Sequence, residues 1–403
     1  MVRHILQTVE VIAVLGTASS IGYYLLCLWS AGRFLKWRKR AERGVRATLG
    51  PVSILKPLKG TDPQMYESFR SHCRLDYPEY EIIFGVNDAA DPAVELVEQL
   101  RTEFPNRQIL LAICGENLGT NAKVSNLIQM SRKARYEYFA VSDSDIRVEP
   151  DYLRQVIAPL EDPKVGLVTC LYRGVAAQTL SSGLESVTIS SDFAPGVLAA
   201  QQLEGGIRFG LGSTLAFRRS DLTAIGGFEA FVDYLADDYE LGKRIAERGL
   251  KSALSDVVVE TFLPAYGFSE FIGHQLRWAR TIRDARRGGY IGLILTFGFF
   301  WSLLALLASR GAGWAWGLLC LTLLVRLTMA LVAGRGVLRD SCVPRWLWLV
   351  PIRDLVAVAI WAGGLAGNTI SWRGRKFHLN NGKLTNLDVD VGEPTNSKGL
   401  AEK

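Results

Sequence analysis

Residues 138–152 read YFAVSDSDIRVEPDY, and this stretch decides the fold. Its apolar beginning, residues 138–141, predicts a short buried strand that ends abruptly at Ser142. Asp143 and Asp145 follow, two residues apart and therefore on one face of an extended segment. In open α/β sheets ligands bind beyond the carboxyl ends of the strands, so both carboxylates are expected to face a crevice. Two carboxylates at this spacing suit a hard divalent cation shared with a substrate phosphate. The alternative is a turn or a helix cap, which Asp and Ser favour.

Strands and helices alternate on both sides of this stretch. Apolar runs at residues 51–55, 81–86, 108–113 and 165–171 predict further strands, and residues 91–104 predict a helix between two of them. This alternation predicts an α/β domain whose parallel sheet is covered by helices on both faces. No GxGxxG or GxxxxGK[ST] motif follows these strands, so neither a dinucleotide-binding fold nor a phosphate-loop ATPase is supported.

The composition indicates a membrane protein. Of the 403 residues 49% are hydrophobic, and the mean hydropathy of +0.14 is high for a soluble chain. The net charge is +6, and the basic residues cluster near apolar segments, which favours a membrane surface over nucleic acid. The six cysteines contain no CxxC pair, so we expect a reducing compartment and no zinc site.

Four apolar segments divide the chain. Residues 9–28 predict a retained anchor, and the basic residues after it place that flank in the cytoplasm by the positive-inside rule. Residues 291–308 and 314–333 predict spans, whereas residues 346–370, with basic flanks at both ends, favour a re-entrant or interfacial hairpin. The segment from Leu379 is polar and predicted to be disordered. The predicted organisation is an anchor (1–32), a basic linker (33–50), a catalytic domain (51–268), an amphipathic interfacial helix (269–288), a membrane region (289–372) and a polar tail (373–403).

Three other polar positions belong to the same predicted crevice. Asp88 and Asp91 follow the second strand and could contact a nucleotide base or ribose; a turn with a helix cap explains them equally well. Lys123, between strands three and four, could meet a phosphate as a point charge, or simply lie in a solvated first helical turn.

Reactive groups are expected in the second half of the domain. The glycines of residues 209–218, FGLGSTLAFR, would let the backbone approach a ligand closely. Asp237 and Asp238 precede an amphipathic helix, where aspartates are most often caps. A carboxylate at the mouth of a crevice can also accept a proton from an attacking hydroxyl, which is worth roughly 10²–10⁴-fold in rate.

The predicted helix from Ser269 carries a basic face. Arg277 and Arg280 are three residues apart and could offer forked donors to a leaving diphosphate. Trp278 could pack against substrate or lie at the bilayer interface. The helix could also rest on lipid headgroups, and both roles are compatible.

Ordered motifs give the chain a family resemblance. Over about residues 51–379 it resembles the ceramide glucosyltransferase family, including its bacterial hopanoid-associated branch. The motifs that carry the resemblance are VSILKPLKG (52–60), the Asp88 and Asp91 pair before Pro92, NAKVSNL (121–127), DSDIRV (143–148), VGLVTCLYRG (165–174), YLADDY (234–239), the RW pair at 277–278 and TISWRGRKFHL (369–379). The resemblance implies an inverting nucleotide-sugar transferase with a GT-A fold and a divalent cation, Mg²⁺ or Mn²⁺.

The resemblance also implies roles for individual residues. Asp91, with Asp88 nearby, and Asp143 resemble the family's first two aspartates, which serve the nucleotide, and Asp145 is similar to the metal-binding end of the DxD motif. Asp238 matches the aspartate proposed as general base, with Asp237 beside it. Arg277 and Trp278 match the end of the (Q/R)xxRW signature, but His274 stands where Gln or Arg is usual.

We therefore expect a multi-pass enzyme of the inner membrane whose catalytic domain faces the cytoplasm. It would move glucose or N-acetylglucosamine from a UDP-sugar to a hopanoid polyol or a ceramide, without a nucleic-acid partner. A processive polysaccharide synthase is one alternative, although it needs more spans to line a sugar channel. A non-catalytic scaffold that binds only nucleotide is another, and the presence of Asp143, Asp145 and Asp238 counts against it.

Overall fold

The computed structural model describes residues 1–41 and 50–387. Within these residues the predicted catalytic domain is built on a mixed sheet with the strand order β3-β2-β1-β4-β7-β6-β8-β5. The strands are Val52–Pro57 (β1), Tyr80–Val86 (β2), Gln108–Ile113 (β3), Tyr138–Val141 (β4), Ile146–Arg147 (β5), Val165–Val175 (β6), Leu215–Arg218 (β7) and Lys251–Phe262 (β8).

The predicted strands are confirmed, but the sheet is not wholly parallel. Strands β3, β2, β1 and β4 run parallel to one another, whereas β7 lies antiparallel between β4 and β6. The hydrophobic pattern of a four-residue strand reveals burial and not direction, so this reversal could not be predicted from the residues of β7. Strand β8 was not predicted because Lys251, Ser252, Ser255 and Asp256 interrupt its apolar pattern.

Helices cover both faces of the sheet, as predicted. Ile82 and Phe84 of β2 point into one core, and Ile83 between them points into the other. Strands buried on both faces read as continuous apolar runs, which is why β1, β2 and β4 were recognisable. The helices of the domain are Met65–Cys73 (α2), Ala93–Glu103 (α3), Ala122–Lys133 (α4), Tyr152–Ile157 (α5), Leu180–Thr188 (α6), Ala194–Leu203 (α7), Arg219–Ala224 (α8), Asp237–Glu247 (α9) and Phe268–Ala285 (α10).

The remaining helices are long or strongly apolar. Among the described residues, three helical segments are long and apolar enough to cross a membrane: Arg3–Lys39, Gly313–Val337 and Val343–Leu365. A fourth segment is bent by 51° between Arg287–Thr296 and Gly298–Ala308. The individual helices are Val2–Ala41 (α1), Arg287–Gly292 (α11), Gly298–Ala308 (α12), Gly313–Leu331 (α13), Val343–Trp346 (α14) and Val350–Leu365 (α15).

Two membrane predictions need correction. The hairpin predicted for residues 346–370 is wrong, since Val343–Leu365 is one helical segment. The span predicted for residues 291–308 is not one straight helix, because the segment is bent at Phe297. There the freed carbonyls of Leu295 and Thr296 accept hydrogen bonds from Ser20 and Tyr24 of α1, at 2.8 and 2.9 Å. Backbone groups freed at a helix break must be satisfied by neighbouring groups in an apolar environment, so α1 stabilises the bend.

The basic linker also differs from its prediction. Helix α1 does not end near residue 32 but continues to Ala41, so its basic residues extend the helix. Residues 42–49 of the predicted linker lie outside the described residues.

The charges inside the apolar segments pair with one another. Arg326 donates from Nε and Nη2 to the two carboxylate oxygens of Asp354, at 2.9 and 2.7 Å. Its Nη1 donates to the carbonyl of Ser191 at 2.6 Å. Arg353 lies 2.5 Å from Asp192. Because Ser191 and Asp192 belong to the π-helical turn Ile189–Phe193 between α6 and α7, this network attaches α13 and α15 to the catalytic domain.

The predicted disorder from Leu379 is wrong for residues 379–386. A three-stranded antiparallel sheet, which we call the C-terminal sheet, comprises Thr369–Trp372 (β9), Arg375–Asn380 (β10) and Lys383–Asn386 (β11). Phe377, Leu379 and Leu384 alternate with polar residues and pack in a small core with Leu235. Few apolar side chains carry this pattern, and polar residues surround them, so the sheet was easy to miss. Residues 388–403 of the predicted tail lie outside the described part of the chain.

Candidate active site

Two predicted acids from distant parts of the chain meet at one lysine. Asp143 follows β4, Asp237 begins α9, and Lys123 lies in the first turn of α4. The Lys123 Nζ atom is 2.9 Å from Asp143 Oδ1 and 3.1 Å from Asp237 Oδ2. Although burial alone would lower the pKa of Lys123, the carboxylates of Asp143 and Asp237 raise it above its ordinary value. The lysine is therefore charged and holds the two acids together.

Gly212 keeps the space between these groups open. A Cβ atom at this position would lie 3.3 Å from Asp143 Oδ2, 3.4 Å from Asp238 Oδ2 and 3.8 Å from Lys123 Nζ. The amide of Gly212 donates a hydrogen bond to Asp238 Oδ2 at 2.9 Å. The glycine-containing segment before β7 thus approaches the crevice closely, as its sequence indicated.

Asp145 lies beside Asp143 and is held from the opposite side. It accepts a hydrogen bond from the hydroxyl of Thr261 in β8. Burial, and then the charge of Asp143, raise the pKa of Asp145 to about 6. Two carboxylates that disfavour each other's ionisation are stabilised by a bound cation.

Lys56 supports this segment from within the sheet. Its Nζ atom donates to the carbonyl of Asp143 at 2.8 Å and to Ser142 Oγ at 3.3 Å. Burial lowers the pKa of Lys56 to about 7, despite the nearby charges of Asp145 and Asp143. Sequence reasoning missed Lys56, because a lysine at the end of an apolar strand gives no sign of its partners.

Asp238 lies in the same cluster, and its pKa is also raised. Burial, and then the neighbouring Asp237, raise its pKa to about 6. Burial also raises the pKa of Asp237, although Lys123 opposes this. Both oxygens of Asp238 are oriented, because Oδ1 accepts from the amide of Tyr239 at 2.8 Å and Oδ2 from Gly212.

The donor set fits a divalent cation that is completed by substrate. Among the described residues, no three His, Cys, Asp or Glu side chains surround a metal-sized space. Magnesium-like ions are usually held by one or two carboxylates together with waters and substrate phosphates. Asp143 and Asp145 supply such a pair, so they are the residues that would hold the ion.

The RW pair lies beside a buried carboxylate. His274 Nδ1 is 3.1 Å from Glu185 Oε1, and its ring centroid is 5.0 Å from that of Trp278. Burial lowers the pKa of Arg277 to about 10, although the charge of Glu185 opposes this. Burial raises the pKa of Tyr172, and the charges of Glu185 and of the crevice acids raise it further. Sequence reasoning missed Glu185, whose partner His274 is 89 residues away.

The sequence matches a known protein family over most of its length. The model of the family described as Glycosyl transferase family 21 matches residues 12–385. The chain belongs to this family. The predicted ceramide glucosyltransferase resemblance and the predicted α/β fold with terminal apolar helices are thereby confirmed.

Individual glycosyltransferases also match this family 21 member. Ceramide glucosyltransferase 3 of Caenorhabditis elegans is 28% identical over 276 residues, which are 68% of this chain and 60% of the relative. Ceramide glucosyltransferase 1 of the same organism is 32% identical over 209 residues, or 52% and 44% of the two chains. The chain thus spans about half the length of these relatives. A solved mannosyltransferase, PcManGT from Pyrobaculum calidifontis in complex with GDP-Man and Mn²⁺, has a TM-score of 0.49 and 20% identity, covering 86% of this chain and 98% of its own.

Three residues of this family 21 member that were predicted to contact a nucleotide form hydrogen bonds within the protein. Asp91 accepts from the amide of Gly60 at 2.9 and 3.1 Å and thereby fixes the loop after β1. Asp88 accepts from the amide of Ala90 in a turn, at 2.9 Å. Arg280 donates to the carbonyl of Thr369 at 2.5 Å and so holds the C-terminal sheet. Their predicted contacts with a nucleotide stay predictions.

Proposed function

We propose that the chain is an inverting glycosyltransferase that moves glucose or N-acetylglucosamine from a UDP-sugar to a hydroxyl group of a membrane lipid, a hopanoid polyol or a ceramide. The observation that carries this proposal is the convergence of three acids on one place: Asp143 and Asp237 pair with Lys123, and Asp143 and Asp238 lie beside Gly212. Family membership supports the reaction class.

The residues of the crevice have different roles in this reaction. A divalent cation held by Asp143 and Asp145 would supply positive charge for the diphosphate leaving group. Asp238, with a pKa of about 6, is mostly ionised at neutral pH and accepts the proton of the acceptor hydroxyl. Gly212 and Tyr239 fix its two oxygens, so the base is oriented before substrate binds.

In this reaction one bond forms and one bond breaks at the anomeric carbon of the sugar. The acceptor oxygen forms the new bond to this carbon while the bond to the diphosphate oxygen breaks, and the hydroxyl proton goes to Asp238. Attack from the face opposite the diphosphate inverts the configuration.

The membrane arrangement supports a lipid acceptor. Helix α10, which carries Arg277 and Trp278, leads directly into the bent apolar segment at Arg287–Ala308. The Arg326 and Asp354 pair ties α13 and α15 to the domain. We expect the crevice to face the cytoplasmic leaflet of the inner membrane, because the basic residues after the first apolar segment favour that side.

The test uses the purified full chain in detergent micelles with Mn²⁺. Radiolabelled UDP-glucose, UDP-N-acetylglucosamine and GDP-mannose are each offered with ceramide or with a hopanoid polyol. We expect label from one UDP-sugar in a single extractable lipid. Label in a long insoluble polymer would indicate a processive synthase, and nucleotide binding without turnover of any donor would indicate a scaffold; either result would overturn the proposal.

A further inference from the structure

The TISWRGRKFHL motif has no part in the mechanism above, yet it forms most of the C-terminal sheet. Its β9–β10 turn has Arg373 and Gly374 at its centre, with φ of +49° and +80°. The β10–β11 turn has Asn381 and Gly382, with φ of +50° and +78°. Two-residue turns with positive φ at both positions favour Asn-Gly and disfavour bulky residues at the first position. The second turn has the favoured residues, whereas the first carries an arginine, and this contrast points to a role for the side chain.

The side chain of Arg373 reaches the edge of the crevice. Its Nη1 atom lies 3.3 Å from Asp62 Oδ1 and 3.3 Å from the carbonyl of Lys59. Asp62 Oδ2 accepts a hydrogen bond from Ser144 Oγ at 2.5 Å. Ser144 lies between Asp143 and Asp145, so a single carboxylate separates the guanidinium from the predicted metal-binding pair. The Arg373 side chain is 44% exposed and therefore accessible to a ligand.

Other cations lie around Arg373. Burial, then the charges of Arg375 and Arg373, lower the pKa of Lys59. Burial lowers the pKa of Arg277, and the charge of Arg373 lowers it further. These four residues, which we call the basic cluster, come from the loop after β1, from α10 and from the C-terminal sheet. Asp62 pairs with Arg373, while the charges of Asp91 and Glu185 act on Lys59 and Arg277. Four cations thus face three carboxylates, and the remaining positive charge of the cluster favours an anion.

The C-terminal sheet is anchored so that this turn is held in place. The amide of Gly382 donates to Asp284 of α10 at 2.7 Å, and the amide of Leu235 donates to the carbonyl of Gly382 at 3.0 Å. Leu235 lies two residues before Asp237. The sheet therefore joins the α9 side of the crevice, through Gly382, to the Asp62 side, through Arg373.

We propose that Arg373 binds the diphosphate of the nucleotide-sugar donor, exchanging its contact with Asp62 for phosphate oxygens when the donor enters. A planar guanidinium offers forked donors that match phosphate, and such charge-assisted hydrogen bonds are stronger than neutral ones. The donor class rests on the proposed function, whereas the assignment of Arg373 rests on the contacts of the C-terminal sheet.

The test compares UDP with UMP, because only UDP has the second phosphate. Affinities of the purified full chain are measured by titration calorimetry in detergent with Mn²⁺, together with the melting temperature. In R373N the guanidinium is lost while the turn receives a favoured residue, so the sheet should remain folded. In R373K the charge is kept without the fork. The matched control is R310N, since Arg310 also has a positive φ of +56° and precedes a glycine, but lies between α12 and α13.

We expect R373N to weaken UDP binding roughly tenfold, as for the loss of a charge-assisted hydrogen bond, with little change for UMP. R373K should fall between R373N and the parent, and R310N should match the parent. An unchanged ratio of UDP to UMP affinity in R373N would overturn the proposal, whatever the melting temperature. A parent that binds no UDP would overturn the proposed donor as well, whereas an active parent with unaffected R373N would overturn only the role of Arg373.

Discussion

Buried charges occur in two regions of this molecule, and the two regions are balanced differently. Between the apolar helices and the catalytic domain, Arg326 and Arg353 face Asp354 and Asp192, two cations against two carboxylates. Among the described residues of the crevice, four carboxylates face two lysines. These residues are Asp143, Asp145, Asp237 and Asp238, with Lys56 and Lys123.

The difference is the one expected between a structural site and a site that binds a ligand. Paired charges with complete hydrogen bonding hold a structure together and need no ligand. Carboxylates whose pKa is raised by burial and by one another are in excess, and such groups are typical of sites that bind a cation or transfer a proton. The sequence predicted the crevice acids as candidate site residues, whereas the partners of Arg326 and Arg353 are seen only in the structure.

The largest expected effect is that of D238N on sugar transfer. Removing the base should lower kcat by about 10²–10⁴-fold. Because burial raises the pKa of Asp238 to about 6, the folded protein binds this proton more tightly than the unfolded chain does. The ionised carboxylate therefore destabilises the fold above pH 6, and D238N should melt at a higher temperature at pH 7.5. This gain should vanish below the ordinary pKa of 3.8.

The control for this variant is D151N, which changes an exposed aspartate outside the crevice. It should retain the parental rate and melting temperature. Full turnover by D238N would remove Asp238 from the mechanism.

A second effect is expected on stability in the network of the apolar helices. D354L leaves Arg326 buried without its carboxylate, which typically costs about 3–5 kcal/mol. The double variant R326M/D354L replaces both charges with apolar groups and should recover most of that loss. Thermal unfolding in detergent measures both variants, and the double variant should still transfer sugar. A double variant as unstable as D354L would show that the pair does more than neutralise charge.

The pH dependence of transfer should distinguish the two regions again. Since Asp238 must be ionised to accept a proton and its pKa is about 6, kcat/KM should fall about tenfold per pH unit below that value. The R326M/D354L variant should show the same acid limb, because its charges lie outside the crevice. A rate that stays constant from pH 7 to pH 5 would contradict the role of Asp238.

The smallest effect is expected from G212A. Its Cβ would lie 3.3 and 3.4 Å from Asp143 and Asp238 oxygens, so these carboxylates must shift by a few tenths of an ångström. We expect a loss of roughly 3- to 10-fold in kcat/KM, less than the 10²-fold that a 1 Å misplacement can cost. G115A is the control, because no atom lies within 4 Å of a Cβ at that position. Equal rates for the two variants would show that the crevice has room to spare at Gly212.

The sequence predicted what short segments encode locally. Apolar runs defined β1, β2 and β4 because both of their faces are buried, and the acids after β4 followed from the edge of the sheet. Asp237 and Asp238 were found beside a predicted helix start, although their convergence with Lys123 was visible only in three dimensions.

What the sequence did not predict depends on distant partners. Lys56 and Glu185 look like isolated charges until their contacts with Asp143 and His274 are seen. Strand β8 and the C-terminal sheet carry too many polar residues for their pattern to stand out, and they are stabilised by neighbours far away in the chain. Asp88 and Asp91 show the reverse case, because a turn and a loop contact account for their hydrogen bonds in the structure.

A cryo-electron microscopy map of the full chain with UDP and Mn²⁺ would test the central claim most directly. We expect density for the ion beside Asp143 and Asp145, and for the diphosphate in the space that Gly212 leaves open. Two other cavities, of about 150 and 300 Å³, lie against Tyr239 and Lys243 of α9. Nucleotide density in one of these cavities, with the acidic crevice empty, would contradict the assignment of the crevice as the active site.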